Sequence, residues 1–171
     1  MRPIIWFLSL FLLLIIQAGV LVPLHLAPVN LVLVMIVVAV LLADFNLGLG
    51  LTLTGGLLLD FVSGSPDGLV TMSLLGVFLL LYFIVNSVLA REVTQIILFT
   101  SVAVSTVAYF ALFLIFNRIF GLFGLDTALD LPYMLSVGLP LMLLFNLIFT
   151  YPIFQYYLWM QKWTTRFKPT T

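Results

Sequence analysis

Apolar runs of roughly membrane-spanning length recur along almost the whole sequence, and the charges fall in the gaps between them. A bilayer demands about 20 predominantly apolar residues of a helix that crosses it. The gaps read "PLHLAP" (23 to 28), "DFN" (44 to 46), "SGSPDG" (63 to 68), "ARE" (90 to 92) and the longer "NRIFGLFGLDTALDLPY" (117 to 133). They delimit six expected helices at 3–22, 29–43, 47–62, 69–89, 94–117 and 134–160. The sequence therefore predicts an all-α integral membrane protein, a six-helix transmembrane bundle forming one domain over 1–171. The second and third runs are short, since about 15 residues rising about 1.5 Å each reach only about 22 Å of a hydrocarbon core near 30 Å. A tight hairpin, tilted neighbours and a partly re-entrant pair all fit that length.

Of 171 residues 64% are hydrophobic and 7% charged, too little polar surface to clothe a soluble globule and none to spare for a soluble catalytic domain. Six Lys and Arg balance six Asp and Glu, so there is neither a nucleic-acid footprint nor a polybasic tract for anionic lipid. The absence of cysteine excludes disulfides, thiolate metal sites and cysteine nucleophiles. The run from Pro3 to Val22 is longer than a signal-peptide core and lacks a small-x-small cleavage site, so it is expected to stay as the first span.

Basic residues set the expected orientation. With the N-terminus inside, Arg2, Arg91, Lys162, Arg166 and Lys168 are cytoplasmic and Arg118 lies outside, which predicts that both termini are cytoplasmic. A re-entrant second and third span would remove two crossings and leave this unchanged. Trp159, Trp163, Tyr151, Tyr156 and Tyr157 cluster near the last basic residues, as amphipathic rings do at a membrane boundary. The outer loop keeps apolar "IFGLFGL" beside Asp126 and Asp130, which suits a segment lying on the membrane or on a partner. Pro140 and Pro152 each remove a backbone donor and are expected to bend the last helix.

The stretch "GLGLTLTGGLLLD" superficially imitates a nucleotide-binding loop, but it follows no strand and lacks the Lys-Ser/Thr of a phosphate cradle. Gly48, Thr52, Gly56 and Asp60 recur every four residues, so the first three read as a stripe on which another helix packs closely. Asp60 shares that face and points into the bundle. A carboxylate near the C-terminal end of its own helix, inside a membrane, needs compensation. Depth along the helices places Gln17, Asn30 and Asp60 near the outer ends of the first three spans, with His25 in the loop above. They form the candidate buried polar cluster. The same estimate puts Asn146 roughly 18 Å inward from Met134, too deep to join them.

The turn after Asp60 reads as helix punctuation. Gly64 suits the positive φ that ends a helix, Ser65 can accept from free N–H groups of the next one, Pro66 suits its first position, and Asp67 complements its dipole. A hydrolytic triad of Ser63 or Ser65 with His25 and Asp60 lacks the G-x-S-x-G elbow. One histidine and scattered carboxylates supply no recognisable metal site, and no cofactor is expected. Ser101 with Ser105, and Ala39 with Ala43, read as further packing pairs; Arg91 and Glu92 read as a solvated turn.

The pattern resembles the rod shape-determining MreD family. The likeness runs through Pro28-Val29-Asn30-Leu31, the apolar second span, Gly48 and Gly50, and "GGLLLDFVSGSPDG", which is similar to that family's G-x-x-x-[LI]-L-D-[LF]-x-S-G-S-x-x-G signature. "FNLIFTYPIFQ" (145 to 155) is similar to its closing helix. The resemblance implies a non-enzymatic scaffold of the bacterial wall-elongation machinery in the cytoplasmic (inner) membrane. It would bind MreC and work beside the MreB cytoskeleton and the peptidoglycan polymerase and transpeptidase. The family also looks similar in architecture to the S-components of energy-coupling-factor transporters, which makes a substrate-binding subunit of a vitamin-type transporter the alternative. Such subunits often dock through an Ala-x-x-x-Ala stripe in the first span, and "FLSLFLLLIIQAGV" has none.

Overall fold

The computed structural model describes residues 2–21, 23, 29–42, 45–63, 66, 68–88, 94–125 and 130–166. These form α1 (Arg2–Ile16), continued by a π-helical turn over Gln17–Leu21, then α2 (Leu31–Leu42), α3 (Phe45–Ser63), α4 (Leu69–Val88) and α5 (Gln95–Gly121). A single turn, α6 (Leu131–Tyr133), and a π-helical stretch (Met134–Gly138) lead into α7 (Leu139–Arg166). No strand occurs among the described residues. Five segments are long and apolar enough to cross a bilayer: Ile4–Leu21, Phe45–Ser63, Leu69–Asn86, Gln95–Gly121 and Leu131–Trp159. The chain is a multi-pass membrane protein, with α2 as a sixth, shorter helix.

Helix α2, "LVLVMIVVAVLL", is apolar all round and so has no face to offer water. It occupies the centre, touching α1, α3, α4, α5 and α7, and every residue from Leu31 to Ala39 is at most 1% exposed. Around it the other helices follow one another as α1, α3, α4, α5 and α7. The ring closes where Trp6 of α1 stacks on Tyr157 of α7, centroids 4.0 Å apart. Nearby, Ser9 shares a 3.1 Å hydrogen bond with the Tyr156 hydroxyl. Beside this contact a cleft of about 250 Å³ opens between Leu12, Ile16, Phe149 and Ile153.

Three expectations change. The third span is 19 residues long, so shortness is confined to α2, whose 12 residues rise only about 18 Å. Tyr157 is no exposed boundary ring, because it is fully buried with Trp6 stacked on it, while Tyr151, Tyr156 and Trp159 stay exposed. The side chain of Trp163 lies outside the described residues. The last helical segment starts at Leu131, ahead of the expected 134, and its π-helical stretch ends at Gly138, two residues before Pro140. There Leu139 N–H donates to Met134 O five residues back, a wider turn just ahead of a residue that can donate nothing.

Candidate functional site

The glycine stripe makes a close helix pair. Gly48, Thr52 and Gly56 are buried on the face of α3 that meets α4. A Cβ on Gly56 would stand 2.7 Å from Thr71 Cα, and one on Gly48 would stand 2.8 Å from the Phe78 ring. Thr52 returns its hydroxyl to Gly48 O at 2.8 Å, so the stripe buries no unmet donor there. Gly55, next to Gly56, faces the other way and admits Val32 of α2 and Leu10 of α1. One Gly-Gly pair thus lets three helices approach α3.

Close approach of α3 and α4 delivers Asp60 to the start of α4. Its Oδ1 accepts from Val70 N at 2.8 Å, and its Oδ2 accepts from Thr71 N at 3.1 Å and from the Thr71 hydroxyl at 2.5 Å. The first N–H groups of a helix have no partner within it and carry its positive end, so a carboxylate there is favourable on both counts. The compensation Asp60 requires is the backbone of the following helix.

That finding revises the reading of the turn. Pro66 lies three residues ahead of α4 and accepts from Leu69 N through its carbonyl at 3.0 Å, so it is not the first helical residue. Among the described residues before α5, the positive φ falls at Gly68 (+93°), whose carbonyl accepts from Met72 N. Gly64, Ser65 and Asp67 lie outside the described residues. Ser63 donates to Asp60 O at 3.4 Å.

Gln17 and Asn30 come together around a different helix start, that of α2. Gln17 Oε1 accepts from Leu31 N at 2.9 Å and Asn30 Oδ1 accepts from Leu33 N at 3.0 Å. Asn30 N–H in turn donates to Asn146 Oδ1 at 3.1 Å, and Asn146 Nδ2 donates to the Thr106 hydroxyl at 3.1 Å. Placing Asn146 too deep was an error about α2, which begins inside the bundle rather than at its surface. No hydrocarbon-immersed helix start can leave its N–H groups bare, and here four side chains from α1, α5, α7 and α2's own entry provide the network. The signal available in the sequence was two polar residues, Thr106 and Asn146, within apolar spans. His25 lies outside the described residues, and Asp60 bonds to α4 rather than to Gln17 or Asn30.

Beside this network is a cavity of about 250 Å³. Gln17, Asn30 and Tyr109 give it a polar wall, with Ser63 and Tyr133 also lining it. Leu59, Val70, Phe110, Phe113 and Met142 make the remainder apolar. Tyr109 lines the cavity together with Asn30, and so do Leu59 and Val70, the chain neighbour and a hydrogen-bond partner of Asp60. Among the described residues no three His, Cys, Asp or Glu side chains converge as metal ligands would. Comparison with protein-family models, curated proteins and solved structures finds no match.

Proposed function

We propose that the chain is an integral-membrane scaffold of the bacterial wall-elongation machinery, of the MreD kind. It sits in the cytoplasmic membrane with both termini cytoplasmic, holds MreC, and works beside the MreB-associated peptidoglycan polymerase and transpeptidase. The observation that carries this reading is the use to which "GGLLLDFVSGSPD" is put, the stretch most specific to the resemblance. Gly56 and Asp60 fasten α3 to α4, and the Asp60 carboxylate accepts three hydrogen bonds from α4. A pattern spent on locking two helices in register supports a protein whose output is a fixed shape.

The decisive experiment is co-purification. Tagged chain, solubilised from membranes of its host, is expected to retain MreC, and depletion of the chain is expected to turn rod-shaped cells round. Rods that keep their shape on depletion, with no MreC recovered, would overturn the proposal.

A further inference from the structure

Two amides beside the Gln17–Asn30 cavity have committed oxygens. Because Gln17 Oε1 accepts from Leu31 N and Asn30 Oδ1 from Leu33 N, the amide orientation is fixed by the backbone and each side chain has only its NH₂ group left to offer. Tyr109 stands on the same wall. The wall therefore presents donors. Among the described lining residues there is no Lys, Arg or His to balance an anion, and the Asp60 carboxylate is bonded to the backbone of Val70, which lines the cavity. Opposite stand Phe110, Phe113 and Met142.

Both π-helical stretches border this space, the first through Gln17 and the second through Met134 and Gly138. Such widened turns are frequent at functional sites. The volume equals that of about eight waters at about 30 Å³ each, enough for a compact ring system or the ester end of a lipid.

We propose that this cavity binds an uncharged ligand carrying an oxygen acceptor on an apolar body. The acceptor, a carbonyl or ester oxygen, takes hydrogen bonds from the Gln17 and Asn30 amides, and the body lies against Phe110, Phe113 and Met142. Either a membrane lipid or a free small molecule can bring that chemistry. Phosphate and carboxylate groups are excluded from the polar wall. The site is independent of the partnership proposed above, and a chain without it could still hold MreC.

The test uses full-length chain in lipid nanodiscs, with 2-acetonaphthone as a neutral ketone probe and 2-naphthoate as its anionic counterpart, each corrected for empty discs. One acetonaphthone is expected to bind per chain in a saturable manner, with naphthoate about tenfold weaker or worse. Gly138→Leu is expected to abolish binding by filling the space, since a Cβ there meets only Met134 Cβ, at 3.9 Å. Tyr109→Phe removes one hydroxyl and is expected to weaken binding about two- to tenfold; it carries the test if Gly138→Leu does not fold. Absence of saturable binding, binding unchanged in both variants, or naphthoate binding as tightly as the ketone would each overturn the proposal. Native mass spectrometry of chain extracted from cells separates the sources. A neutral lipid or a small uncharged molecule lost in Gly138→Leu supports the site, and a retained anion refutes it.

Discussion

Asp60 shows how a charge can be legible while its purpose is not. Its position every fourth residue from Gly48 correctly turned it inward, and its place near a helix C-terminus correctly demanded a partner. The partner was hard to see because it is backbone: Val70 and Thr71 N–H carry no letter that distinguishes them from any other pair. Asn substitution tests the assignment sharply. Asp60→Asn keeps the shape but sets an NH₂ against donors, so it is expected to destabilise the protein by about 2–4 kcal/mol, read as a lower unfolding midpoint in detergent. Thr71→Val, which removes one donor and leaves the backbone bonds, is expected to cost about 1–2 kcal/mol. Equal midpoints for wild type and Asp60→Asn would show that the carboxylate is not the clamp. Asn146 failed to be placed for a related reason, since its depth was measured against a helix whose start had been put at the surface.

At the level of elements, periodicity carried most of the information. The four-residue stripe predicted the α3 face that packs against another helix, and the Cβ clearances identify α4 as the neighbour. Gly56→Ala is expected to cost about 1–3 kcal/mol, because the methyl would strike Thr71 backbone rather than a side chain that can move aside. Gly19→Ala is the control, with nothing within 4 Å of the added Cβ, and its midpoint is expected to stay within a degree or two of wild type. Matching losses in the two variants would refute close packing as the cause. Hydropathy marks α2 as the most apolar helix but does not say whether lipid or protein surrounds it, because the two are equally apolar solvents for Leu, Val and Ile. What sets α2 apart is length and the lack of any polar residue between Leu31 and Leu42. Those features identify a helix surrounded on every side.

For the molecule as a whole, the placement of basic residues gives a topology that labelling can check. The native chain has no cysteine, so single replacements need no background removal. With a membrane-impermeant maleimide on intact cells, Leu122→Cys, at an 84% exposed position, is expected to react, and Gln95→Cys is expected to react only after lysis. The opposite pattern would invert the orientation. Central burial of α2 also bears on how the protein is made. The helix is synthesised second, yet the Asn146 oxygen that satisfies its entry lies 116 residues further along, so at about 5–20 residues per second the ribosome delivers it roughly 6–23 s later. Until then the nascent α2 sits in the bilayer with a bare peptide group and an incomplete sheath. Premature termination before α7 therefore yields a product whose most hydrophobic segment has no permanent neighbour, a substrate for membrane quality control rather than a smaller working bundle.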